Sequence, residues 1–492
     1  MQRLGLVLRA AVALVTLWAS AGATAAPGVS TQILTLESRR SLGDGTLAAF
    51  LSSPDTAVAV RAALAIGRTK LAAGEPLLAA HLKDRRDAVR AMSVYGLGLL
   101  ATGADARALT VSLSDRSGAV RVAALDAIAR YEAARRYAPD AQQTAQAFVE
   151  GSLAHDNDSV VRGRAAIALV QFREGPGAAE AADALATAFR TDSKVGVRRN
   201  AMWAIYRAYA LHVSRHLVES ALSDADDIVR IEAVRAMSRY KDVALVPFVR
   251  PLLNDPSWRV QEQAGQTIQV LRGKPMSDHW TRIPPGVHVP APVADPLATL
   301  AAWPRTPPAK LAAPFAQDAG PSLRLAPVSS AQMTNPVPGA HPRVRIVTTK
   351  GAIYVALFPE WAPLTVANFL ALANRGYFDH NRWFRIVPDF VVQTGDPNDN
   401  GEGDAGYSIG AEENPLAQDS YVISMGMNYD AKTNTPIRDS AGTQYYITLS
   451  PQLHLDWDFS VYGRVTSGFD VLGRLVESDR VVRVERVADE TL

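Results

Sequence analysis

Residues 383 to 397 read Trp383-Phe384-Arg385-Ile386-Val387-Pro388-Asp389-Phe390-Val391-Val392-Gln393-Thr394-Gly395-Asp396-Pro397, and this stretch sets the reading of the C-terminal third of the chain. As a strand it is unusual. Arg385, Val387, Asp389, Val391 and Gln393 share one parity, Ile386, Phe390 and Val392 the other, and Pro388 interrupts simple pairing between them. A cation and an amide beside apolar groups, on a segment bent by proline, point to a place that holds something rather than a plain core strand. The same Arg385 would serve equally as a surface salt-bridge residue.

Upstream, Val344 and Ile346, then Ile353, Val355 and Leu357 after a turn at Lys350-Gly351, alternate as strands do. Val366, Phe369, Leu370 and Ala373 fall on one face of a predicted helix from Thr365 to Asn374, which Gly376 ends. Downstream come Ile423-Ser424-Met425, Ala441-Gly442-Thr443-Gln444-Tyr445-Tyr446-Ile447 and Tyr462-Gly463-Arg464-Val465.

The order and spacing of these segments resemble a cyclophilin over residues 343 to 478. The resemblance implies a closed eight-stranded antiparallel β-barrel capped by two helices, and isomerisation of X-Pro peptide bonds with no metal or organic cofactor. By resemblance, Arg385 falls on the family's catalytic arginine, Phe390 on the phenylalanine that floors the proline pocket, and Gln393 and Gln444 on its two site glutamines. Tyr446 replaces a second pocket aromatic, and Val391 replaces a Met. His454 stands where the family usually has a Trp, Phe459 where it has a His, and Met427 where it has an Asn that mostly uses its backbone. The catalytic set implied is therefore Arg385, Phe390 and Gln393, with Val391, Met427, Gln444, Tyr446, His454 and Phe459 binding substrate. The stretch from Met425 to Thr443 is longer than the family's loop by about eight residues, a difference read from the sequence order, and its Lys432, Arg438 and Asp439 bear on access. Asp396, Asp399, Glu402 and Asp404 form an acidic loop that reads as solvated in preference to a calcium site.

These residue types suit the chemistry. Amide resonance sets an uncatalysed barrier of about 20 kcal/mol, and the twisted transition state returns a lone pair to the prolyl nitrogen. A permanently protonated guanidinium that donates to this nitrogen stabilises the twisted form more than either planar one.

Before this unit, half of the chain's 30 prolines lie between Pro275 and Pro342, which reads as an extended linker over 275–340. Earlier still, one pattern recurs seven times: an Asp, four variable residues, then Val and usually Arg. The copies start at Asp55, Asp84, Asp115, Asp156, Asp192, Asp224 and Asp255, spaced 29 to 41 residues apart. Apolar residues at helical spacing follow each copy and a short apolar segment precedes it, so each repeat should hold two helices. The Asp would cap amides in the turn, the Val would face the core, and the Arg would meet the Asp of a neighbouring repeat. This resembles HEAT repeats and gives an α-solenoid over 44–273, which implies an extended surface for an unidentified protein partner.

Arg3 and Arg9, the apolar run Ala10 to Trp18 and Ala23-Thr24-Ala25 read as a signal peptide over 1–25, shorter than a membrane span. With no cysteine in 492 residues, disulfides and thiol chemistry are excluded, and export to a periplasm or secretion is expected. The 51 basic and 49 acidic residues provide no polybasic field, so neither nucleic acid nor a stably occupied membrane is an expected partner. Four segments are thus expected: 1–25, 44–273, 275–340 and 341–492. The activity expected on proline-containing polypeptides is that of an isomerase aiding folding of exported proteins; the alternative is a non-catalytic scaffold whose barrel holds such segments.

Overall fold

In the computed structural model the described residues are 29–102, 106–274, 341–387, 389–399, 401, 408–429 and 436–487. Residues 1–25 and 275–340 lie outside them, as do Lys432, Glu402 and Asp404. The described chain divides into a helical unit and a unit built on a sheet.

In the helical unit each Asp-Val-Arg signature leads into a helix: Thr56–Thr69, Asp87–Leu100, Gly118–Ala133, Ser159–Leu169, Val195–Ala204, Asp227–Ser238 and Trp258–Leu271. Another helix precedes each, from Thr46–Leu51 to Val246–Val249. Val60, Val89, Val120, Val161, Val197, Val229 and Val260 are all buried, which puts the repeated apolar position in the core. Small residues let successive signature helices approach closely. A Cβ on Gly67 would come within 2.7 Å of the Gly96 Cα, and one on Gly98 within 2.6 Å of the Ala127 Cα.

The Asp does two jobs. Its Oδ1 accepts from the amide two residues on, as in Asp115 from Ser117 at 2.8 Å and Asp156 from Asp158 at 2.9 Å. Except at Asp55, which caps its helix directly, it therefore stabilises the turn before the helix rather than the helix N-terminus. Its carboxylate also receives the Arg of the preceding repeat, in pairs Arg90–Asp115, Arg121–Asp156, Arg162–Asp192, Arg198–Asp224 and Arg230–Asp255. Four of these arginines donate in addition to the backbone carbonyl of their own repeat's Asp at 2.8 Å. In the last repeat Gln261 keeps that carbonyl bond, at 2.6 Å, and no further signature Asp follows among the described residues.

The second unit is an eight-stranded antiparallel sheet of β1 Arg343–Thr348, β2 Gly351–Leu357, β3 Arg385–Val387, β4 Val391–Thr394, β5 Val422–Met425, β6 Tyr445–Thr448, β7 Val461–Ser467 and β8 Val481–Val487. The order is β3-β4-β6-β5-β7-β2-β1-β8. Alternation holds where it was expected: Val344, Ile346 and Thr348 point inward from β1. The helix Pro363–Asn374 packs Phe369 on Phe378, Tyr445 and Tyr462, and Trp383 meets Tyr445 edge-on.

Two expectations are corrected, and of the expected barrel the strand pairing shows an open eight-stranded sheet. Strand pairing does not run round a full barrel: β3 and β8 are the edges of the sheet. The segment before β3 meets the start of β8, where Trp383 N donates to Asp479 O at 3.0 Å, Val481 N to Asn381 O at 2.9 Å and His380 N to Val481 O at 2.9 Å. The second capping helix is a single turn, Phe469–Leu472. Finally, Arg385 to Gln393 is a tight hairpin and not one bent strand, pairing Arg385 with Gln393, Ile386 with Val392 and Val387 with Val391.

Candidate active site

The hairpin turn determines where the functional side chains stand. Asp389 sits at φ 55, a conformation costly for a residue with a Cβ, and the surroundings hold it there. Its carbonyl accepts from Ser450 Oγ at 2.5 Å and Gln452 Nε2 at 2.9 Å, while the Phe390 carbonyl accepts from Leu449 N at 2.8 Å. Phe390 is thereby fixed at the tip of the hairpin beside the segment that carries His454.

Directly opposed residues of antiparallel strands share a face. Arg385 opposes Gln393, Gln393 opposes Tyr446, and Tyr446 opposes Ser424, so one row crosses β3, β4, β6 and β5. Exposure falls along it, from an exposed guanidinium through a half-buried amide to a buried phenol. At the open end Arg385 Nη1 donates to Gln393 Oε1 at 3.3 Å. Gln393 Nε2 donates in turn to Gln444 Oε1 at 3.1 Å, and Gln444 Nε2 to the Gly401 carbonyl at 2.8 Å. The two amides are thus oriented by a chain of bonds that begins at the guanidinium. Arg385 also lies over the Phe390 ring, 5.2 Å from its centroid.

Beside this polar row is an apolar cluster of Val391, Tyr446, Leu455 and Phe459, against which Phe390 and Met427 pack. Phe459 meets Tyr446 edge-on with centroids 5.8 Å apart. His454 stacks on Phe390 at 5.5 Å and 22°. Burial pushes the Tyr446 phenol well above its ordinary range, so it is neutral at physiological pH. All nine residues singled out from the sequence therefore meet in one region. Leu455 was missed; its only signal is an apolar residue next to His454 on the short turn Leu453–Leu455.

The acidic loop is built differently from its expected solvated form. Asp396 is fully buried and accepts from Asn398 N at 2.7 Å and from Gly401 N; Asp399 accepts from Arg382 N at 2.8 Å. The Asp396 carboxylate holds a turn, and that of Asp399 ties the loop to the segment before β3. Among the described residues no group of three or more His, Asp or Glu is placed to hold a metal ion.

Residues 343–490 match the family described as cyclophilin type peptidyl-prolyl cis-trans isomerase, and residues 214–275 match HEAT repeats. Peptidyl-prolyl cis-trans isomerase B of Bacillus subtilis (strain 168) is 38% identical over 133 residues, 26% of this chain and 87% of that protein. The chain belongs to the cyclophilin family. A second cyclophilin-type relative, peptidyl-prolyl cis-trans isomerase CYP18-2 of Arabidopsis thaliana, is 35% identical over 152 residues, 30% of this chain and 88% of that protein. A crystal structure of a Cryptosporidium parvum cyclophilin type peptidyl-prolyl cis-trans isomerase is 25% identical and aligns over 30% of this chain and 98% of that one, with a TM-score of 0.28. The cyclophilin domain is accordingly a peptidyl-prolyl cis-trans isomerase, preceded in the same chain by HEAT repeats.

Proposed function

We propose that this protein isomerises X-Pro bonds in exported polypeptides, with Arg385, Phe390 and Gln393 as its catalytic group. The observation that carries the assignment is the guanidinium–amide–amide chain from Arg385 through Gln393 to Gln444, lying directly beside an apolar pocket. The proline ring enters among Phe390, Met427, Leu455 and Phe459, which removes apolar surface from water. The glutamines hold the carbonyl side of the bond. As the amide twists, its nitrogen pyramidalises and accepts from Arg385, an interaction absent from the planar ground state and hence a lowering of the barrier. No proton is transferred, so His454 acts by stacking on Phe390 and not as an acid or base. The bonds between residues 380–383 and 479–481 support reading the sheet as the family's closed barrel.

The HEAT array offers a surface for a second protein, and the N-terminal 25 residues direct the chain to a periplasm or the exterior. N-terminal sequencing of protein from the exported fraction should begin at Ala26; Met1 retained there would contradict this. Met427 and Phe459, packed on the pocket in place of polar residues, favour a second reading, a barrel that holds proline segments without turnover. Acceleration of cis to trans conversion of a short X-Pro peptide by the full chain separates the two: turnover supports the isomerase, and binding without turnover the scaffold.

A further inference from the structure

Tyr429 is the first aromatic side chain of the lengthened loop after β5, and it is 46% exposed. One side of its ring is nevertheless committed, lying 6.3 Å from Phe459 at 33°. The neck of the loop is pinned. Tyr429 bridges to Pro436, Ile437 N donates to the Asn428 carbonyl at 2.7 Å, and Asn428 N donates to Ser440 Oγ at 2.9 Å. Arg438 clamps the loop to the body through both oxygens of the nearly buried Glu413. A large aromatic ring is thus held still at the mouth of the proline pocket with its outer face in water, which costs free energy until something apolar covers it.

We infer, on the reading that this pocket binds proline, that Tyr429 is a specificity-determining residue that selects X-Pro segments carrying an apolar or aromatic side chain next to the proline. One side of the ring faces Phe459 of the pocket, tilted at 33° with centroids 6.3 Å apart. The ring therefore extends the apolar wall of the proline site outward from Phe459, where a side chain neighbouring the bound proline comes within its reach. Its contact is with that side chain and not with the bond, so it sorts substrates without taking part in the rotation.

The test uses the full chain and two peptide series, one varying the residue before proline and one the residue after it, each through Phe, Leu, Gly and Glu. In at least one series the wild type should prefer Phe and Leu, and Tyr429→Ala should flatten that preference by roughly five- to twentyfold, the range set by burying one side chain. The change should fall on KM with kcat little altered, as for binding felt equally before and during rotation. Tyr429→Phe should keep the preference, because the ring provides it. A preference unchanged in Tyr429→Ala, or an equal loss for all four residues in both series, overturns the inference while leaving the isomerase intact; a wild type without turnover on any peptide overturns the isomerase reading itself.

Discussion

Phe390 does more than line the pocket. Its ring lies under Arg385 and against His454, and its carbonyl is tied to Leu449. Phe390→Ala should therefore raise KM by losing contact with the proline ring and also lower kcat by releasing the guanidinium, a combined loss of about 3 to 4 kcal/mol in kcat/KM. Steady-state measurement on one X-Pro peptide checks both parts, and an effect confined to KM would show that Arg385 does not lean on the ring. Asp379, after the helix Pro363–Asn374, gives a second prediction. Burial raises its carboxyl from an ordinary 3.8 to about 6, with Arg483 pulling the other way. The folded state holds this proton more tightly than the unfolded chain, so the group favours folding below about pH 4 and that contribution is lost as pH rises through 6. Asp379→Asn should raise the thermal midpoint at pH 7 and leave it little changed at pH 4; equal effects at both values would remove Asp379 as the cause. Arg385, Phe390, Gln393 and Gln444 were legible because their order along the chain matches a family. Leu455 and Tyr429 were not, because membership of a pocket depends on which loops fold back onto it and leaves no mark on local spacing.

The Asp-Val-Arg signature was legible for the opposite reason: its function is repeated. All seven copies join a turn Asp to a buried valine, and five add a bond to the next repeat, so the copies report one geometry. The coupling makes a clear prediction. Asp156→Ala removes both bonds from Arg121, at 2.6 and 2.7 Å, and the turn bond from Asp158, and leaves a largely buried guanidinium with only the Asp115 carbonyl among these partners. The cost should be about 2 to 4 kcal/mol in urea unfolding of the full chain followed by helical circular dichroism. Gln261→Arg, at the end of the array, regains only the carbonyl bond that Gln261 already makes and should change stability by less than about 0.5 kcal/mol. Similar costs for the two would mean that the ladder between repeats is not what holds them together. The Arg385–Gln393 hairpin was misread because parity alone cannot distinguish a bent strand from two strands folded at a turn. Pro388 gave the position of the break; the left-handed Asp389 beside it, supported from the distant Ser450 and Gln452, is what reverses the chain.

Taken as a molecule, the chain joins an array whose stability passes from repeat to repeat to a sheet whose stability rests on one aromatic core. Composition indicated the division, since alanine-rich helical periodicity gives way to proline and then to alternating strands. The isomerase domain lies in the second unit, and on the proposed reading its chemistry rests on Arg385. The full chain should accelerate cis to trans conversion of a short X-Pro peptide, and Arg385→Ala should lower kcat/KM by two to three decades, about 3 to 4 kcal/mol of transition-state stabilisation, mostly in kcat. Arg385→Lys should also be poor, because one ammonium on a flexible stem cannot serve both the prolyl nitrogen and Gln393. Equal rates for wild type and Arg385→Ala would contradict the account.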